Sequence, residues 1–229
     1  MTRRVLLVEG NTDKYFFELL LEKAGLNQVE VFPPKESGTR GRGINALVKE
    51  GIPKQLEEIK RGSVIKLGIV VDADSEDDDA GFANRHQSIS SLLEKDFSLV
   101  TTHQTSKGSI FQRSDAPEIC IGLWVMPDCQ EQGMLEDCLL PCITNSERSE
   151  LLALADMSIK EVIQRKTFEN IRFNEKHLSK VRFTTWLTWQ QKPRNCRQLS
   201  PACALKEGWI DAEHPNITAI IQWLQKVFQ

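Results

Sequence analysis

No apolar run in this 229-residue chain approaches the roughly 20 residues that a membrane-spanning helix requires; residues 5–8 and 69–71 are among the longest. Residues 1–4 lead directly into a strand-like segment rather than a signal peptide, so a cytoplasmic location is expected. The six cysteines (Cys120, Cys129, Cys138, Cys142, Cys196, Cys203) include no CxxC pair, and the four histidines are not spaced to complete a zinc site. Reduced, mostly buried thiols are therefore expected. There is no GxxxxGK[ST] phosphate loop and only one tyrosine, Tyr15. Net charge is also scarce, at −3, which argues against a protein coated in positive charge.

What the chain does have is 40% apolar content and enough length for one good core. The segment Val5-Leu6-Leu7-Val8 reads as a strand ending at Glu9-Gly10. From Asn11 the pattern becomes helical, with Phe16, Phe17, Leu20, Leu21 and Ala24 facing inward and Asn11 or Thr12 as the cap. Residues 29–32 form a second strand, followed by a glycine-rich loop over 37–43 and a helix over about 44–60. A third strand, 66–71, ends in Asp72-Ala73-Asp74; residues 80–96 read as a helix, 97–111 as a weak strand or hairpin, and 119–126 as a strong strand. Continuous apolar strands alternating with amphipathic helices indicate an α/β fold with a mostly parallel sheet and helices on both faces. Beyond residue 135 the periodicity is helical, with helices expected at 147–154, 158–163, 179–189 and 216–228. The expected division is an α/β core over 1–145 and a helical elaboration over 146–229 docked on it.

The carboxyl ends of parallel strands open on one edge, so Glu9, after the first strand, and Asp72 and Asp74, after the third, are expected to converge. Asp13 lies in the first turn of the intervening helix, across the Gly10 turn from Glu9. Crowded carboxylates repel unless a cation neutralises them, and an all-oxygen donor set favours Mg²⁺, Mn²⁺ or Ca²⁺. A pair of such ions, roughly 3.5 to 4 Å apart, would stabilise the attacking and leaving oxygens of a phosphodiester. The plainer alternative is that Asp13 complements the helix dipole and that the acids of residues 72–79 form a solvated loop, which is the expectation for Asp77, Asp78 and Asp79.

Val8-Glu9-Gly10-x-x-Asp13 after a strand, with Val70-Val71-Asp72-Ala73-Asp74 some sixty residues on, resembles the Toprim pattern. That pattern occurs in topoisomerases, bacterial primases, small ribosomal-RNA maturases and overcoming-lysogenization-defect (OLD) nucleases. Leu123-Trp-Val-Met-Pro-Asp128, Gly133-Met-Leu-Glu136-Asp137 and Lys180-x-x-x-x-Thr-Trp-Leu-x-Trp189 are similar to a family of stand-alone Toprim-like proteins related to OLD-type nucleases. The resemblance implies a Toprim-like fold and two Mg²⁺ or Mn²⁺ ions. It makes Glu9 a ligand or general base, Asp72 and Asp74 ligands, Asp13 an assisting ligand, and Glu136 a further ligand with Asp137 the weaker candidate. It places Lys180 near the scissile phosphate, with an ordinary helix-surface lysine as the alternative.

Eleven Lys or Arg residues against three acids over 160–206 form a strip suited to a polyanion. Arg182, Lys192 and Arg194 are its candidate phosphate contacts; Phe173, Trp186 and Trp189 are available for base stacking, although the two tryptophans read more naturally as core. Arg40 and Arg42, in the glycine-rich segment before a helix, are further nucleic-acid candidates on a flexible contact loop, with a plain loop as the alternative. Tyr15, beside the acids, is poorly placed for a topoisomerase nucleophile, and the length leaves no room for a primase's accessory domains. The expected activity is thus a metal-dependent DNA or RNA nuclease. With no ATPase motif, the resemblance suggests either a separate ABC-type ATPase subunit, with an antiphage defence role, or a protein that works alone like the small RNA maturases; a homodimer is left open. The competing reading is a non-catalytic Toprim module that binds nucleic acid or serves as a scaffold.

Overall fold

The computed structural model describes residues 2–75, 80–97, 100–105, 108–113, 115–170, 173–190 and 199–229. Strands β1 (Arg3–Leu7), β2 (Val29–Phe32), β3 (Val64–Asp72), β4 (Val100–Thr105), β5 (Gly108–Gln112) and β6 (Cys120–Met126) form one sheet in the order β2-β1-β3-β6-β5-β4. The β1/β2, β1/β3 and β3/β6 pairings are parallel; the β4–β5 hairpin extends the sheet antiparallel to β6. The stretch expected to hold a weak strand or hairpin thus forms a hairpin, pinned to the neighbouring helix α4 (Gly81–Phe97) by His86 Nε2 and Ser109 Oγ at 2.8 Å.

Side chains along the strands alternate between two buried layers, as the period of two requires. Val5, Leu7, Leu67, Ile69, Val71, Ile121, Leu123 and Val125 pack against α3 (Ile52–Lys60) and α4 on one face. Leu6, Val8, Val70, Trp124 and Met126 pack on the other face, with α1 (Asn11–Lys23) and the C-terminal helices. Both faces being covered explains why β3 and β6 read as uninterrupted apolar runs. Helix α9 (Pro215–Phe228) lies directly under the central strands at Gly68 and Gly122. A Cβ at Gly68 would meet Leu6 and Phe228 at 2.6 and 2.9 Å, and one at Gly122 would collide with Val227 and the Trp223 indole. The last helix of the chain therefore completes the core beneath the sheet.

Two helical readings need correction. The expected helix over 44–60 is divided into α2 (Gly43–Ala46), a π-helical turn over Leu47–Gly51, and α3. The two helices expected at 147–154 and 158–163 are one, α6 (Ser146–Gln164). Between the two expected helices, the Asp156 carboxylate accepts from both Nε and Nη2 of Arg182, each at 2.7 Å, on α7 (Leu178–Thr188). Two short helices without sequence periodicity, α5 (Leu135–Leu139) and α8 (Pro201–Lys206), complete the α-helices among the described residues. Cys120, Cys129, Cys138 and Cys142 are free and buried as expected, but Cys203 is disulfide-bonded, which corrects the expectation of reduced thiols throughout. Cys196 lies outside the described residues. No described helix is long and apolar enough to cross a membrane.

Candidate functional site

Parallel pairing of β1 with β3 brings their carboxyl ends to one edge of the sheet, and the first turn beyond β1 places Glu9 against Asp72. The Asp72 backbone N–H donates to Glu9 Oε1 at 2.8 Å, and the Leu135 N–H, at the start of α5, donates to Asp72 Oδ1 at 3.1 Å. The cap of α1 is not Asn11 or Thr12 but Gly10, whose N–H donates to Asp13 Oδ2 at 2.9 Å from inside the first turn. A small side chain at Gly10 would already touch that carboxylate, at 3.6 Å. Glu9, Asp13 and Asp72 line a tight cleft of about 10 Å³, walled by Phe17, Val70, Val71, Met126 and Leu135.

Each of these three acids spends one oxygen on a backbone N–H; among the described residues the second oxygen has no hydrogen-bond donor. Apolar walls and mutual repulsion make ionisation costly. Burial, reinforced by the charges of Asp74 and Asp13, pushes Glu9 up to about 7, against the pull of the Asp72 N–H and Arg85. Burial and the neighbouring Glu136 push Asp13 up to about 6. Burial, followed by repulsion from Glu9 and the other acids, holds Asp72 well above the ordinary carboxylate range. Glu136, buried in α5, is raised chiefly by burial and held down by Lys180. Lys180 is exposed on α7, and its charge also lowers Asp13, so it stands at the rim of the same cluster.

Asp74 is set differently. Its φ is 60°, a left-handed conformation that costs a non-glycine residue energy, and its backbone is held by reciprocal bonds with Gly133 at 2.9 and 3.1 Å. Its Oδ2 accepts from Arg85 Nη2 at 2.8 Å. Arg85, on α4, went unrecognised in the sequence because a single arginine eleven residues after Asp74 matches no motif. Asp137 points its carboxylate to the Met134 N–H at 2.9 Å and to the Ser179 hydroxyl, and so joins α5 to α7. Among the described residues, no three acidic, histidine or cysteine side chains converge tightly enough to cage a cation as they stand. The chemistry of the donor set suits a hard divalent ion, but binding one requires the unpaired oxygens to draw together.

The nucleic-acid candidates are scattered. Arg182 is committed to Asp156. Arg40 and Arg42 are exposed, but their loop is stitched down rather than loose: Lys54 Nζ donates to Ser37 O at 2.7 Å, and the Arg40 N–H donates to Glu50 at 2.9 Å. Trp186 is buried and donates to Arg148 O at 3.1 Å, as the core reading expected, whereas Trp189 is 43% exposed, against it. Phe173 is half-buried. Lys192 and Arg194 lie outside the described residues, as do Asp77, Asp78 and Asp79.

The raised carboxyls set a pH dependence with a definite sign. An acid whose pKa is higher folded than unfolded binds more protons when folded, so its stabilising contribution is full below the unfolded value and is lost as pH rises through the folded one. Stability in a chelator should therefore fall between about pH 4, the ordinary carboxylate range, and about pH 7, where Glu9 titrates. Urea unfolding across that range checks this; stability that is flat or rising would show that the acids are not under strain.

No curated protein and no solved structure matches the chain. A family model described as "Protein of unknown function (DUF3226)" matches residues 3–229, and the chain belongs to that family.

Proposed function

We propose that this protein is a metal-dependent nuclease with a Toprim-type site, acting on DNA or RNA. The observation that carries this reading is the Glu9–Asp72 lock at the carboxyl edge of the sheet, which sets two carboxylates side by side with an unpaired oxygen on each in a shared cleft. Repelling acids kept together, with raised proton affinity, are a liability to the fold unless a cation uses them. Glu9, Asp13, Asp72, Asp74 and Glu136 would hold Mg²⁺ or Mn²⁺, most simply as two ions. Bound there, the ions would polarise the phosphodiester and lower the pKa of an attacking water.

The chain's own groups fit the remaining tasks. Glu9 would serve either as a ligand or, left off the metal, as the general base, its metal-free value of about 7 suiting it to accept a proton at neutral pH. Lys180, whose charge reaches Asp13 and Glu136, would stabilise charge developing on phosphoryl oxygens. The basic stretch that includes α7 would bring the polyanion to the cleft. A separate ABC-type ATPase partner and a role as an antiphage effector follow from the OLD resemblance and belong to this proposal by analogy. The second reading is a non-catalytic nucleic-acid-binding or scaffold module, favoured by the incomplete convergence of the acids.

The test is incubation with Mg²⁺ or Mn²⁺ and a panel of supercoiled DNA, linear DNA, single strands and tRNA, beside Glu9→Gln and Lys180→Ala. Glutamine keeps an oxygen for the Asp72 N–H, so the fold should survive while cleavage drops about a hundredfold or more. Nucleic-acid binding without cleavage in saturating Mn²⁺, both alone and with a candidate ATPase, would establish the non-catalytic reading.

A further inference from the structure

We infer that Arg85 is the resident counter-cation of the acidic cluster, holding Asp74 until a divalent cation displaces it; the inference rests on the metal-site reading above. Asp74 is the one member of the DxD pair whose carboxylate is already paired with a cation, through Arg85 Nη2 at 2.8 Å. The engagement is one-sided: Arg85 Nε is buried with no hydrogen-bond partner among the described residues. Arg182 shows the contrast, forking both Nε and Nη2 onto Asp156. The packing around Arg85 thus delivers its charge without completing the two-bond grip, which leaves the pair weaker and easier to open. Both side chains are partly exposed, at 23% and 36%, so solvent screens the pair further.

The remaining geometry fits displacement. Reciprocal bonds with Gly133 fix the Asp74 backbone, so its carboxylate can exchange partners by side-chain rotation alone. The charges of both Arg85 and Asp74 also reach Glu9. With Asp74 turned to Arg85 and Asp137 spent on Ser179, the cluster lacks the third converging ligand that a cation requires. On binding, the Asp74–Arg85 ion pair breaks and an Asp74–metal contact forms, an exchange that needs no proton transfer at Asp74 or Arg85. The site is thereby kept quiet in the absence of metal by a device within the chain.

The experiment is titration of the intact chain with Mn²⁺, followed by calorimetry and by the Mn²⁺ electron paramagnetic resonance signal, neither of which requires turnover. Arg85→Gln should bind Mn²⁺ about tenfold more tightly than the native chain, through loss of the competing charge. In an Asp74→Asn background the same change should gain less than about twofold, because the contested ligand is gone. Arg85→Lys, which keeps the charge on a single-point donor, should fall between the native chain and Arg85→Gln and provides the comparison should the glutamine variant not fold. Unchanged or weaker affinity in the Arg85 variants overturns the inference, as does a gain that persists undiminished with Asp74→Asn. If neither the native chain nor any variant binds Mn²⁺, the metal-site reading itself fails, a result distinguishable from failure of the Arg85 role alone.

Discussion

Trp223→Ala should destabilise the protein by about 3–5 kcal/mol, the cost of emptying a fully packed aromatic site. Trp223 is 1% exposed on α9, and its indole lies against the backbone at Gly122 and Gly108 and 5.7 Å, centroid to centroid, from the Trp124 ring. The glycines form the floor of this contact, and their backbone cannot follow the shrinking side chain because it belongs to β5 and β6. The cavity therefore persists instead of collapsing. Trp223→Phe provides the contrast. The indole Nε1 is buried without a hydrogen-bond partner among the described residues, so phenylalanine gives up area but also removes an unsatisfied donor. The expected loss for phenylalanine is under about 1.5 kcal/mol. Urea unfolding of both variants decides the matter. A small cost for alanine would mean that α9 is not an integral layer of the core and can detach from the sheet.

How much of this was legible in the sequence depends on whether a residue's role was local. The strands and long helices were readable because each carries its own periodicity: β2 over Val29–Phe32 and α9 from Pro215 emerge almost as expected. The convergence of Glu9 with Asp72 was readable too, since parallel topology alone brings strand ends together. What was not legible are partnerships with no sequence periodicity behind them. Arg182 looked like a phosphate contact because Asp156 lies 26 residues away on another helix, and nothing in either segment announces the pair. The cap of α1 was expected at Asn11 or Thr12 because polar side chains usually cap, whereas here the Asp13 carboxylate closes back on Gly10 from within the helix. Arg85 stayed invisible because its meaning comes entirely from Asp74. The Toprim resemblance named the acids, but the packing of α4 and α5 around them decides which oxygens remain unpaired.

Asp72→Asn should make the metal-free protein more stable at neutral pH, on the order of 2–4 kcal/mol, while abolishing its response to divalent cations. The substitution is nearly isosteric, and its amide oxygen can still accept the Leu135 N–H that now bonds Asp72 Oδ1 at 3.1 Å. The Asp72 N–H, being backbone, still donates to Glu9. What disappears is an ionisable group held well above the ordinary carboxylate range by burial and by Glu9, Asp13, Glu136 and Asp74. At neutral pH the native protein must either bear that charge in an apolar cleft or take up a proton that the unfolded chain would release. Both cost free energy, and asparagine avoids both. The advantage should shrink as pH falls and vanish below about pH 4, where the native carboxyl is protonated in the folded and unfolded chains alike. Paired urea titrations of the two proteins in chelator at pH 4 and pH 7.5, repeated at pH 7.5 with excess Mn²⁺, provide the check. In Mn²⁺ the order should reverse, since only the native chain gains stability from a bound cation. A variant less stable than the native protein in chelator at pH 7.5 would make Asp72 a structural anchor, and the cluster would then need no cation to justify it. A variant more stable in chelator and deaf to Mn²⁺ identifies these acids as kept at the expense of the fold, which is the mark of a site retained for chemistry.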